Sequence, residues 1–197
     1  RRMQTPQVLI IGFALMIAVG TLLLKLPASA ASDVPISWMD AFFTSTSAIT
    51  VTGLTVRTTA LDYSRFGQVI ILILLQVGGI GFTAFSVLLL RLIGRRVTLN
   101  ERFIIQQSLA AEQAGNLGRL SLYVLGVTLS IEAVGAFLLW LRWRATVPDD
   151  AMFLAIFHAI SSYCNSGFDL FSGTDRGVLF GYGSDMATLG TMGGLVI

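Results

Sequence analysis

Apolar residues along this chain fall into long runs, and two of the intervals between them hold a second, shorter kind of apolar segment. The first long run, about Val8 to Leu26, covers roughly 19 residues, enough to cross a hydrocarbon core at 1.5 Å per residue. Pro27 closes it, and Lys25 is placed to snorkel to the interface. Phe66 to Ile93 and Leu120 to Trp140 form a second and a third run, and Gly183 to Ile197 opens a fourth. Ser37 to Thr50 is helical in pattern but too short to span, the signature of a buried or re-entrant segment. Its start, Ser37-Trp38-Met39-Asp40, predicts an N-cap at Ser37 with Asp40 near N3, on the positive end of the helix dipole. Pro148-Asp149-Asp150 predicts a second short helix that begins in the same way.

The two short segments read as copies. One ends in Thr50-Val51-Thr52-Gly53-Leu54, the other in Cys164-Asn165-Ser166-Gly167-Phe168, an offset of 114 residues from Gly53 to Gly167. About 25 residues after each glycine comes a pair of glycines, Gly78-Gly79 and Gly193-Gly194. The order span, short helix, loop, span is thus given twice, and such repetition decides the architecture. Lipid cannot satisfy bare N–H and C=O groups, so a break at membrane depth survives only inside protein or beside a water-filled path. A break that is made twice points to a pore.

Composition agrees with the membrane class. The chain is 54% hydrophobic and 12% charged, against a usual charged fraction of about 25%. The expected fold is all-α and integral to the membrane. A lone cysteine, Cys164, excludes a disulfide framework within the chain, and a lone histidine, His158, leaves no His-rich metal site. The net charge of +2 without basic clusters argues against nucleic-acid binding. No nucleophile, base or metal-ligand set converges, so no enzyme activity and no cofactor are expected. The chain begins at Arg1 and stops inside the apolar stretch Gly193 to Ile197, which reads as part of a longer protein. Arg1, Arg2, Arg91, Arg95, Arg96, Arg102 and Arg119 mark the cytoplasmic side by the positive-inside tendency, so both re-entrant loops enter from outside. Arg142 and Arg144 count against this orientation.

The break also fits a chemistry. A partly dehydrated cation needs oxygen ligands in place of its lost water, and rings of backbone carbonyls supply them in potassium-selective filters. Glycine permits positive φ and close backbone approach. The C-terminal ends of the short helices carry roughly half a negative charge each and would favour a cation between them. Thr50 to Gly53 and Cys164 to Gly167 meet this specification. A single glycine after a helix is ordinarily a C-cap; the repetition favours the filter.

Phe42 to Leu54, Gln76-Val77-Gly78-Gly79-Ile80-Gly81-Phe82 and Phe157 to Asp169 together resemble the Trk/Ktr/HKT potassium transporter superfamily. The linker Gly94-Arg95-Arg96-Val97-Thr98-Leu99-Asn100-Glu101-Arg102 resembles the bacterial Ktr-type translocating subunit most closely. The resemblance implies four span–pore helix–filter loop–span repeats around one pore, of which two are present. The first repeat would be residues 1–93, a cytoplasmic linker 94–118, and a truncated second repeat 119–197. It also implies potassium as the transported ion, driven by membrane potential, with sodium as a coupling or activating ion in a symporter reading. A homodimer in the bacterial inner membrane, bound to a cytoplasmic nucleotide-binding ring, completes the expectation. Glycine in each filter goes with potassium, so Gly53 favours potassium over a sodium-conducting relative. A non-transporting membrane scaffold is the reading from another class.

Other residues carry weaker signals. Glu132 is an ionisable group within a span, with either a pore role or a hydrogen bond between helices. His158, at the position of Thr44 in the other repeat, is expected to support the filter or outer mouth. Cys164 matches Thr50 and flanks the filter. Asp169, just past the second filter, either concentrates cations at the outer mouth or is a solvated loop acid. Gly78, Gly79 and Gly81 are expected to allow close helix packing.

Overall fold

A computed structural model of the chain describes residues 5–31, 35–81, 117–173 and 185–196. Its regular structure is helical. Helix α1 covers Thr5–Lys25, α2 Trp38–Ile49, α3 Thr59–Asp62 and α4 Arg65–Ile80. After them come α5 (Leu117–Trp143), α6 (Ala151–Tyr163) and α7 (Met186–Leu195), with one 3₁₀ turn at Pro27–Ser29. Among the described residues the only β feature is one isolated bridge, Ala30 to Tyr63.

Helix α5 shows what solvent this fold is built for. Thr128, Glu132, Ala136, Leu139 and Trp143 recur at helical spacing and are all buried, while Val134, Phe137 and Leu138 on the other side are exposed. A helix in water would turn its carboxylate outward and its phenylalanine inward. Here the polar groups face protein and the apolar face is bare, as a lipid environment requires. Residues Leu122–Trp143, with a mean hydropathy of 2.0, are long and apolar enough to cross a membrane.

The helices pack as two groups. In one, α1 lies on α2 and α4, and α2 on α4; in the other, α5 lies on α6 and α7, and α6 on α7. Contact between α4 and α6 joins them. The first group is closed at one end by backbone: Ser64 N donates to Ser29 O at 2.9 Å and Ala31 N to Asp62 O at 3.0 Å. Gly67 lets α4 approach there, since a β carbon would collide with the Ser29 carbonyl.

Several expectations change. The Lys25 ammonium is held by protein: its Nζ donates to the Ile36 carbonyl at 2.7 Å and lies 5.8 Å from the centre of the Trp38 ring. The ammonium thereby satisfies a backbone acceptor just before α2. Asp150 occupies the N-cap of α6, but its side chain makes no cap bond and pairs instead with Arg65 of α4. Of the glycines, Gly78 and Gly79 do pack closely, whereas Gly81 (φ 87°), Gly193 and Gly194 have no neighbouring atoms among the described residues where a β carbon would lie. The second run is described only as far as Gly81. The rest of it, and the basic linker up to Asn116, lie outside the described residues.

Candidate functional site

The first loop starts from a well-anchored helix. Ser37 Oγ accepts from Asp40 N at 3.0 Å, the expected N-cap. Asp40 in turn accepts from Arg57 Nε at 2.9 Å. That hydrogen bond from Arg57, with the cap bond from Ser37, holds the Asp40 carboxyl below its ordinary range. Asp62 completes the cluster, accepting from Thr58 N at 2.7 Å with Arg57 Nη1 3.9 Å away. Residues on both sides of Thr50 to Gly53 are therefore tied to one another.

The loops themselves repeat in backbone detail. Thr50 N donates to Thr46 O at 2.9 Å, and Cys164 N to Ile160 O at 2.9 Å. Val51 N donates to Ala48 O at 3.2 Å, and Asn165 N to Ser162 O at 2.9 Å. Thr52 N donates to Ser47 O, and Ser166 N to Ser161 O, both at 2.9 Å. Val51 and Asn165 take φ of 54° and 52°, and Gly53 and Gly167 take 74° and 76°. Val51 and Asn165 are the only non-glycine residues at positive φ among those described. A β-branched residue in this region is strained and stays there only when its surroundings over-determine it.

The two loops touch. A β carbon on Gly53 would lie deep inside the contact distance of the Ser166 carbonyl oxygen and 3.3 Å from the Gly167 α carbon. All eight residues from Thr50 to Gly53 and Cys164 to Gly167 thus belong to one place in the fold. Beside them is a polar recess of about 180 Å³, lined by Thr55, Arg57, Gly167, Asp169 and Ser172 among others.

Side chains brace the loops unequally. Ser161 Oγ donates to the Phe168 carbonyl at 2.5 Å and lies 2.9 Å from Ser166 Oγ. At the matching position in the first repeat, Ser47 Oγ is buried with no partner among the described residues. His158 is wholly buried; Nδ1 lies 2.7 Å from the Leu154 carbonyl and so donates, leaving Nε2 to accept from Leu170 N at 3.3 Å. Its ring stacks on Phe171 at 4.7 Å and meets Trp143 edge-on at 5.3 Å. His158 therefore fastens the segment just past Gly167. Thr44 does similar work in the first group, its Oγ1 accepting from Tyr63 Oη at 2.9 Å. Asp169 turns its carboxylate back on the chain, accepting from Phe171 N, Ser172 N and Ser172 Oγ.

The profile of the family described as TrkH, cation transport protein, matches residues 1–174. The chain belongs to this family. It is 41% identical over 173 residues to the Ktr system potassium uptake protein B of Bacillus subtilis, covering 86% of this chain and 38% of that protein. It is 33% identical over 174 residues to the potassium/sodium uptake protein NtpJ of Enterococcus hirae, with the same two coverages. A third relative, the Ktr system potassium uptake protein B of Vibrio alginolyticus, is 36% identical over 171 residues, 85% of this chain and 36% of that protein. The chain thus spans somewhat over a third of the length of these relatives. The family is one of cation transport proteins, and not of enzymes.

The hydrogen bond between helices expected at Glu132 is present, but sequence reasoning named neither its partner nor the contact of Gly79 with the second loop. Gln76 of α4 donates through Nε2 to both carboxylate oxygens of Glu132, at 2.9 and 2.8 Å. Gly79, one turn further along α4, lies against Cys164 Sγ. Polar residues within two apolar runs were the available signal, but nothing local pairs one with the other.

Proposed function

We propose that this chain contributes two walls of a potassium-conducting pore, through which potassium is taken up down the membrane potential. The observation that carries this reading is the duplicated loop: two short helices end in identical backbone turns, and their glycines meet. Carbonyls of Thr50 to Gly53 and Cys164 to Gly167 would replace water around the ion, and the C-terminal ends of α2 and α6 would add negative potential. Two further loops, from sequence outside this chain, would complete a fourfold filter. The names of the relatives support potassium as cargo.

On this reading residues 1–93 and 119–197 are successive repeats joined by a cytoplasmic linker at 94–118. The complete protein would sit in the bacterial inner membrane, as a homodimer on a cytoplasmic nucleotide-binding ring. Asp169 would lie at the outer mouth as a loop-forming residue, because its carboxylate is already engaged.

Complementation tests this directly. The complete protein, expressed in a bacterial strain lacking potassium uptake, should restore growth and rubidium uptake at low external potassium. Good membrane expression without rescue would overturn the reading. A sodium-conducting or sodium-coupled variant is the second reading, favoured by the potassium/sodium name of one relative. Uptake measured with and without sodium separates the two.

A further inference from the structure

Glu132 is 4% exposed on a membrane-crossing helix, and its carboxylate is met by the Gln76 amide of the other helix group. Gln76 stands near the end of α4, and the residues that follow it sit between the two loops. Gly78 lies against the Ile49 carbonyl and 3.0 Å, from its would-be β carbon, from Val51 Cγ2; Gly79 lies against Cys164. Neither glycine leaves room for a side chain, so α4 cannot shift toward either loop without collision. A displacement of α4 would therefore move the base of the first loop relative to the second.

Nothing in the repeat supplies an equivalent contact. At the same offset, Gln76 corresponds to Gly190 and Glu132 to Ala18, neither of which carries a polar side chain. The pair belongs to the junction between the groups and not to the repeated unit. A buried carboxylate is expensive in a span, and here it is spent on one contact that crosses that junction.

We propose that Glu132 is a positioning residue for the filter: through Gln76 it fixes α4 between the loops and sets the spacing of Gly53 from Gly167. This rests on the transport reading above and assigns Glu132 no contact with the ion. The hydrogen-bonded clamp, not the negative charge, is what positions the loops. Glu132→Gln retains an amide–amide hydrogen bond, while Glu132→Ala leaves the Gln76 amide unpaired.

The experiment is potassium and sodium uptake by the complete protein, with KM and Vmax normalised to membrane protein level. Glu132→Ala should raise the KM for potassium and reduce potassium-over-sodium preference by about tenfold, as loss of one strong hydrogen bond implies. Glu132→Gln should stay within about twofold of wild type, the neutral clamp being largely retained. If Glu132→Ala does not accumulate, Gln76→Ala should show the same loss, and the exchange Gln76→Glu with Glu132→Gln should recover preference. Unchanged KM and preference in the alanine variants would overturn the proposal, as would a Glu132→Gln protein as defective as Glu132→Ala. An exchange no better than Gln76→Ala alone would also overturn it. Wild-type protein without uptake would instead overturn the transport reading, and this inference with it.

Discussion

Gly53 and Gly167 meet backbone to backbone, with Gly53 the one that faces the neighbouring loop. A β carbon on Gly53 would run into the Ser166 carbonyl, whereas among the described residues one on Gly167 would meet only the Gly53 α carbon, at 3.9 Å. Both residues share the same left-handed φ. Position 53 is therefore limited by conformation and by space, and position 167 by conformation at the least, since on the fourfold reading its other flank would face a loop outside this chain.

Alanine at either position tests these limits. Gly167→Ala costs at least the φ penalty, about 1 kcal/mol, and should weaken potassium preference. Gly53→Ala must also push the second loop aside and should abolish preference for potassium over sodium. Competition between the two ions in an uptake assay checks this; a Gly53→Ala protein with wild-type preference would refute the close approach of the loops.

The serines at matching positions should behave oppositely. Ser161→Ala leaves the Phe168 carbonyl without its donor, at a cost of about 1–3 kcal/mol. Ser47→Ala removes a buried hydroxyl that has no partner among the described residues, and should change stability by less than about 0.5 kcal/mol or raise it. Thermal unfolding of the purified protein in detergent reads both.

Acid should release the N-terminal end of α2. Arg57 depresses the Asp40 carboxyl below its usual 3.8. Its contribution is therefore complete above that value and is lost as pH falls through the lower, folded-state one. Stability should be insensitive to this pair across neutral pH and decline only below about pH 4. Arg57→Gln should remove that acid-dependent component, seen as a smaller drop in melting temperature between pH 5 and pH 3.

Arg65 and Asp150 form an ion pair between the groups, with the guanidinium 4.1 Å from the centre of the Phe153 ring. Both side chains are well exposed, so a double-mutant cycle should give a coupling below about 1 kcal/mol, fading with salt. Phe153→Leu should weaken the residual, salt-resistant part by about 0.5 kcal/mol. A large, salt-insensitive coupling would show that the pair is shielded from solvent.

What could be read from the chain was whatever repeats or acts locally. The Ser37 cap is a contact over three residues, and the loops announce themselves because Thr50 to Leu54 recurs as Cys164 to Phe168. The helical extents of α2 and α6 follow from their apolar pattern. His158 could be assigned a supporting role, but its partner, Leu170 N, is twelve residues away and leaves no periodic trace. Asp150 stands at the helix N-terminus as expected, but the partners of Asp150 and Lys25, Arg65 and the Ile36 carbonyl, are tertiary and leave no local trace.

By itself, then, the sequence determined an all-helical membrane chain, a duplicated break and its two glycines, since hydropathy and repetition are properties of order along the chain. Only tertiary structure decided that Gly53 touches Gly167, that Asp169 is occupied by its own turn, and that Glu132 finds Gln76. Those contacts depend on which faces of α4, α5 and α6 meet. Packing settles that, because burying polar groups away from lipid selects one arrangement among many that the same pattern allows.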